Sequence, residues 1–400
     1  MLLLEAGVSI PLGILLGIFT GLTPGIHINL VASFLLASTP LLLSILSPFT
    51  LALIIGAMAI THTFLDAIPS IFLGAPDSDT VLSVLPGHRL LLQGKGYEAV
   101  MLTAVGSLGG LVLSVVLTPG VILLARAAYP FLRSKMGFIL LAAAIFLIGR
   151  EKRWAWALVC FLLAGILGLA VFSLEQLEEP LLPLLSGLFG TSLLLMSLRS
   201  RTIIPPQETT QALDLPPGEG WKGVFGAICG GLLGAFLPGL GPSQMALLGS
   251  QGIRLSPRGF LVLVGGLNTV GMVLSFVALY VIDRPRNGAV IAIAELLPVF
   301  SGRDLLAFLG MCLLVGGLAA FLTSYLTKGF ARLVQCIKYS TLCWVILGFV
   351  TGLVGLLSGG LGLGVLLVAT LVGLLPTLKG IGKNHLMGCL LLPVMLYFLF

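Results

Sequence analysis

The 400-residue sequence predicts an all-α polytopic membrane protein, built as two inverted repeats with broken or re-entrant helices. Roughly ten to fourteen membrane segments fit its length. Three observations carry the prediction: an oily, charge-poor composition, a Pro-Gly break that recurs in both halves, and a Lys/Arg distribution that gives the halves opposite endings.

Hydrophobic residues make up 58% of the chain and charged residues 9%, against about 25% charged in soluble domains. Mean hydropathy is +1.15. A water-soluble fold is excluded, and a multi-pass place in the cell membrane, surrounded by lipid, is expected. A β-barrel would alternate apolar and polar residues, whereas "GLVLSVVLTPGVILLA" is apolar on every face. The net charge of +6 is no nucleic-acid footprint, because the Lys and Arg sit in short loops, as cytoplasm-facing connections do. All six cysteines (Cys160, Cys229, Cys312, Cys336, Cys343, Cys389) are isolated. Without metal or disulfide spacing they read as packing residues, and no metal site is expected. The first apolar stretch lacks a basic leader and a cleavage site, so it reads as mature protein.

Apolar segments fall at about 7–23, 28–46, 50–73, 97–125, 137–149, 154–173 and 181–199, and resume at about 223–237, 243–253, 259–282, 288–300, 304–327, 340–357, 361–376 and 385–400. Between the two sets lies "SRTIIPPQETTQALDLPPGEGWKG", rich in Pro and charge. The expected organisation is a first membrane repeat over 1–199, a cytoplasmic linker over 200–221 and a second membrane repeat over 222–400.

The halves align. "GIFTGLTPGIHINL" matches "GLLGAFLPGLGPSQ", setting Gly17 on Gly231, Gly21 on Ala235, Pro24 on Pro238 and Gly25 on Gly239. Downstream, Thr63 pairs with Thr269, Asp77 with Asp283, and Gly109-Gly110 with Gly316-Gly317. "SLEQLEEPLLP" has Glu but no Lys or Arg and suits the outside, whereas "GREKRW" and "SLRSR" suit the cytoplasm. "KGFARLVQCIK" and "LKGIGKNH" also look cytoplasmic, which leaves the C-terminus outside. Opposite endings mean opposite topologies, the arrangement of inverted-repeat transporters. Arg126, Arg133 and Lys135 run against the scheme, since they fall in a loop it places outside.

The two Pro-Gly pairs break their helices, because Pro removes a backbone donor and Gly frees φ. Backbone freed inside a membrane is tolerated where protein buries it or where it lines a cavity. Half-helix N-termini then aim a positive dipole end at the break, which suits an anion. Thr23, His27, Asn29, Ser243 and Gln244 would add polar contacts. A plain kink between packed helices is the bland alternative. In "THTFLDAIPSIFLGAPDSD", His62, Thr63 and Asp66 interrupt an apolar run. An ionisable residue there is a functional candidate by default: Asp66 could relay a proton or hold Na⁺, and His62 titrates near neutrality. The alternative is a satisfied polar pair in the core. Asp77 and Asp79 suit caps of the next helix. "GGLNTVG" sets Asn268 and Thr269 among glycines, with oxygens suited to Na⁺ or a carboxylate's neighbourhood. Arg284, Arg286, Asn287 and Glu295 follow; Arg binds carboxylates through a planar fork, or serves as an ordinary loop charge. "GLVGLLSGGLGLG" signals close helix packing.

These residues resemble the large membrane subunit of the tripartite tricarboxylate transporter family. The resemblance rests on Gly17 to Gly25, on "PGLGP" (Pro238 to Pro242) and on "LGAPDSDTVLSVLPGHRLLLQGKGYEAVMLTAVGSLGG". It is firmest over about residues 13–120, looser over about 223–300, and rests on hydropathy alone in the last hundred residues. It implies a secondary transporter for carboxylates such as citrate, working with a small membrane subunit and an extracytoplasmic binding protein. Carried over, Pro24, Gly25, Pro238, Gly239, Gly241 and Pro242 would shape the substrate cavity, and Asn268 and Thr269 would line it. His27 and Asn29 stand where most members continue Gly-Pro, which implies an altered substrate. The shorter length resembles a compact, archaeal-like branch, and a homodimer is compatible with it.

The leading expectation is therefore an ion-coupled secondary transporter of a small organic anion, with alternating access at the repeat interface. It would need no cofactor beyond Na⁺ or H⁺ as coupling ion. The runner-up is a translocase for a polyprenyl-phosphate lipid carrier, whose phosphate would suit the same helix dipoles. An enzyme is disfavoured, because paired carboxylates, a nucleophile with its base and metal-spaced His are all missing.

Overall fold

The structure, a computed structural model, describes residues 2–23, 28–73, 81–177, 180–200, 205–209, 213–236, 242–250, 252–336 and 339–400. Among them the first half holds α1 (Leu2–Leu22), α2 (Ile28–Ala37), α3 (Thr39–Leu42), α4 (Pro48–Leu65), α5 (Ala67–Phe72), α6 (Val81–Leu91), α7 (Gly96–Gly149), α8 (Trp154–Phe172), α9 (Leu181–Leu185) and, after a π-helical turn, α10 (Ser192–Ser200). The second half holds α11 (Glu219–Phe236), α12 (Pro242–Gly249), α13 (Pro257–Ile282), α14 (Gly288–Leu296), α15 (Gly302–Cys336), α16 (Tyr339–Lys379) and, after a 3₁₀ turn, α17 (Gly388–Leu399). Among the described residues six helical stretches are long and apolar enough to cross a membrane, and four shorter apolar ones accompany them. The polytopic helical fold read from the sequence is the one observed.

Local chemistry fixes several boundaries. Ser47 caps α4 by accepting from the Thr50 N–H, and Ser256 caps α13 by accepting from Gly259, each followed by Pro at the first turn. Asn287 caps α14 through the Val290 N–H at 2.9 Å. Asp283 ends α13 in the left-handed conformation. In α16 the break between segments expected at 340–357 and 361–376 is real: Gly359, at φ 62°, separates two helical limbs, and the Leu363 side chain folds back to within 4 Å of where a Gly355 Cβ would stand.

The segments expected at 97–125 and 137–149 are present as apolar helical stretches over Gly96–Tyr129 and Ser134–Gly149, but the residues carrying Arg126, Arg133 and Lys135 keep helical backbone within α7 instead of forming an open loop. A straight helix of 54 residues would span about 80 Å. Yet Glu98 near its start pairs with Arg258 of α13, while Leu147, at its far end, shares a cavity with Arg254, just before α13. Both ends of α7 lie at one end of α13, so the helix doubles back into two limbs.

The core is sewn by glycine contacts. Gly13, Gly17 and Gly21 of α1 lie against Ala57, Thr61 and Leu65 of α4, so α1 and α4 run in the same direction. Gly223, Gly226 and Gly231 of α11 lie against Val262, Leu263 and Val270 of α13 in the same way. α12 returns along α11, with Met245 beside Gly230 and Gly249 beside Gly226. Each half's long helix also packs on the other's. Gly106 and Gly110 of α7 meet Val262 and Val270 of α13, and Gly56 of α4 meets Met311 of α15 while the Phe64 carbonyl faces Thr323. Gly302 at the start of α15 sits by Tyr280 at the end of α13.

The loops read as cytoplasmic gather at one end. Arg153 Nη1 donates to the Lys379 carbonyl at 2.5 Å, and His385 Nε2 lies 3.3 Å from Glu151 Oε2. Lys328 stacks on Tyr97 beside Lys95. The interval between α10 and α11 docks there too: Gln207 Oε1 accepts from the Gly96 N–H, Nε2 donates to the Leu91 and Pro205 carbonyls, and the Glu208 N–H donates to Gly94.

Candidate functional site

α4 is buried along its whole length from Thr50 to Leu65. Along most of it that burial is met by Leu, Ile, Ala and Met, but its last turns present Thr61, His62 and Thr63, with Asp66 as the C-cap. A carboxylate enclosed there costs several kcal/mol of lost hydration unless partners compensate. α13 of the other half supplies them. Asn268 Nδ2 donates to Asp66 Oδ2 at 2.6 Å, and Thr269 Oγ1 donates to Thr63 Oγ1 at 3.0 Å, which in turn donates to the Ile60 carbonyl at 2.8 Å.

His62 links the cluster to α1. Its Nδ1 lies 3.1 Å from Thr20 Oγ1, and the Thr20 hydroxyl faces the Gly17 carbonyl at 3.3 Å. If Thr20 donates to Gly17, Nδ1 carries the ring proton and donates to Thr20, a tautomer assigned from the bonding pattern. Nε2 then turns its lone pair toward Asp66 Oδ2, 3.9 Å away. A proton taken up at Nε2 would create an imidazolium facing the Asp66 carboxylate. The site offers one carboxylate, three hydroxyls, an amide and an imidazole, contributed by α1, α4 and α13. Asn268 is the twelfth of the 26 residues of α13, which puts the cluster at mid-helix depth.

Five residues singled out from sequence in two separate stretches, His62, Thr63, Asp66, Asn268 and Thr269, thus form one cluster. Thr20 was missed, although it stands in the quoted motif between Gly17 and Gly21; the signal was a polar residue on the small-residue face of α1. Pro24, Gly25, His27, Pro238, Gly239 and Gly241 lie outside the described residues, as do Asp77 and Asp79 and the side chains of Pro242, Ser243 and Gln244. The Thr23 N–H closes the last turn of α1 on the Phe19 carbonyl. Asn29 sits at another contact between halves: its Oδ1 accepts from the Ala289 N–H at 3.2 Å, against Gly288 at the start of α14. Next to it, Asn287 Nδ2 lies 3.4 Å from Ser275 Oγ. Arg286 is hydrogen-bonded to Tyr129, and burial holds its guanidinium below the ordinary arginine range. Among the described residues no three His, Cys, Asp or Glu side chains converge as metal ligands.

A multi-pass helical protein with a buried polar cluster shared by its two halves belongs to the class of membrane transporters. The chain belongs to the tripartite tricarboxylate transporter TctA family, whose profile matches residues 8–388, reaching into the last hundred residues where only hydropathy spoke. The family is one of transporters, not enzymes. The chain is also 30% identical over 401 residues to an uncharacterized protein of Methanocaldococcus jannaschii, a match covering 97% of this chain and 98% of that one. No solved structure matches it. Neither comparison supports a polyprenyl-phosphate translocase.

Proposed function

We propose that the protein is an ion-coupled secondary transporter of a small carboxylate, tricarboxylates included, and that the Asp66–Asn268 cluster handles the coupling ion. The observation that carries this is the 2.6 Å bond between Asp66 Oδ2 and Asn268 Nδ2, made across the two halves. A carboxylate placed where hydration is lost is kept for ion or proton traffic more readily than for stability. Asp66, Thr63, Thr269 and the Asn268 carbonyl would serve Na⁺; Asp66 and His62 would serve a proton.

Alternating access fits an inverted two-fold relation between the halves, which several packing features support. α1 runs with α4 as α11 runs with α13, α4 packs on α15 as α13 packs on α7, and α15 starts where α13 ends, so α4 and α13 run oppositely. The antiparallel return of α12 along α11 favours a re-entrant hairpin around the second Pro-Gly break, whose backbone donors would meet the substrate anion. Family membership favours a small membrane subunit and an extracytoplasmic binding protein as partners. The test is uptake of labelled citrate and smaller carboxylates into proteoliposomes under an imposed Na⁺ or pH gradient, with the binding protein added if uptake requires it. Asp66→Asn should lower gradient-driven uptake at least tenfold while the protein stays folded. Wild-type uptake in that variant defeats the reading.

A further inference from the structure

At the cationic end of the molecule a cavity of about 700 Å³ opens between the end of α7, the turn joining α12 to α13 and the 3₁₀ turn before α17. Its volume falls in the usual range for small-molecule sites, roughly 300–1,000 Å³. Its polar lining includes Arg150, Glu151, Ser250, Arg254, Asn384 and His385. From Pro257, where α13 begins, Asn268 is eleven residues on, about 16 Å at the rise of a helix. The cavity and the Asp66 cluster are separate places.

The charge in this cavity is lopsided. Glu151 Oε2 is engaged by His385 Nε2 at 3.3 Å and by the Gly382 N–H at 3.4 Å. Among the described residues no carboxylate stands within salt-bridge distance of Arg150 or Arg254. The Arg150 guanidinium is steadied over the Phe146 ring, 5.7 Å from its centroid. Two guanidinium forks, one from each half, therefore face a cavity whose single acid is already occupied by a buried histidine. Guanidinium forks match carboxylate and phosphate oxygens in pairs, and the Asn384 amide in the same lining can serve a remaining oxygen.

We infer that this cavity is a binding site for a small multivalent oxyanion, a di- or tricarboxylate or inorganic phosphate, held between Arg150 and Arg254 at the Lys/Arg-rich end that the positive-inside rule makes cytoplasmic. It rests on the cavity and not on the coupling role of Asp66. A site there would hold an anion at the mouth of the molecule, where both halves contribute a fork.

The test is thermal unfolding of the purified full-length protein in detergent at fixed ionic strength, titrated with citrate, inorganic phosphate or chloride. Saturable stabilisation by citrate, phosphate or both, and not by chloride, is expected; which of them acts identifies the oxyanion. Half-saturation should shift at least tenfold upward in Arg150→Gln/Arg254→Gln and in Asn384→Asp, which adds a carboxylate to the lining, and should stay in place in Asp66→Asn. Both arginines are exposed, so their replacement leaves the fold intact. Absence of stabilisation in the wild type overturns the site, as does an unchanged half-saturation in the arginine and Asn384 variants. A loss confined to Asp66→Asn also overturns it, while leaving the coupling reading of Asp66 in place.

Discussion

Thr63 and Thr269 are joined by a 3.0 Å hydrogen bond between their hydroxyls, and they are the two residues that the alignment of the halves sets opposite each other. The bond also has a direction. Thr269 donates to Thr63, whose own proton goes to the Ile60 carbonyl. Thr63→Val strands the buried Thr269 donor and should cost about 1–2 kcal/mol, while Thr269→Val leaves the Thr63–Ile60 bond intact and should cost about 0.5–1 kcal/mol. Reversible unfolding in detergent with a double-mutant cycle should return a coupling of about 0.6 kcal/mol, the average for bonds between membrane helices. Equal single losses with no coupling would remove the bond from the fold.

Asp66 and Asn268 invite an exchange. Asn268→Asp puts two carboxylates where one donor–acceptor pair stood, so at pH 8 both ionise against each other and the variant should lose 2 kcal/mol or more. Lowering the pH toward 5 protonates one of the two in the folded state before the unfolded chain takes up that proton. The folded state then binds the extra proton, and the variant should regain stability as pH falls. Asp66→Asn/Asn268→Asp returns one carboxylate and one amide to the site and should restore most of the loss. A variant whose unfolding ignores pH over this range places Asp66 elsewhere than against Asn268.

Much of this arrangement was legible in the sequence, for physical reasons. Membrane burial forces apolar runs, so helix positions from 48 to 72 and from 257 to 282 stand out, and polar residues inside them stand out further. Asp66 and Asn268 were visible because each violates its surroundings. That they touch was not, because no local rule links positions 202 apart; only the repeat, by pairing Thr63 with Thr269, brought the two stretches into register. The reversal within α7 was legible from Arg126, Arg133 and Lys135, but not that the residues there keep helical backbone, because helices tolerate Arg126 and Lys135 at exposed positions. Thr20 escaped notice because Thr in a membrane helix satisfies itself on a carbonyl one turn back, and nothing in the sequence shows that His62 shares that hydroxyl. The ion pair of Glu98 and Arg258, at 2.6 Å, was likewise invisible, since it joins the starts of two helices from different halves.

The glycines of the α7–α13 contact differ sharply in what they can accept. A Cβ on Gly265 would collide with the Thr103 carbonyl and one on Gly106 with the Val262 carbonyl, backbone on backbone, whereas Gly271 has open space. Gly265→Ala should therefore cost about 1–3 kcal/mol or more through overpacking. Gly271→Ala, in the same helix, should be neutral or stabilising by up to about 1 kcal/mol, because alanine loses less backbone entropy on folding. Thermal midpoints of the two variants, compared side by side, decide the matter. A fall in Gly271→Ala as large as that in Gly265→Ala would show that the close approach of Gly265 to the Thr103 backbone is not what sets the cost.

The docked interval before α11 makes the last prediction, and it turns on one side chain. Gln207 is buried and serves the Gly96 N–H at 2.9 Å, the Leu91 carbonyl at 2.9 Å and the Pro205 carbonyl at 2.7 Å. The first two are groups at the start of α7 and the end of α6, where helix termini lack intrahelical partners, and the third belongs to the interval itself. Gln207→Leu keeps the volume but strands a buried donor and an acceptor, at about 1–3 kcal/mol. Gln207→Glu should be worse at neutral pH, since it retains the acceptor for Gly96 but turns a carboxylate toward two carbonyl oxygens. Glu208→Gln is the control: Glu208 joins the contact through its backbone N–H, bonded to the Gly94 carbonyl at 2.8 Å, and its side chain is exposed. Protease nicking within residues 205–218 should accelerate in the order Glu208→Gln, Gln207→Leu, Gln207→Glu, in step with unfolding midpoints. If all three are cut at the wild-type rate, the interval is held by something other than Gln207.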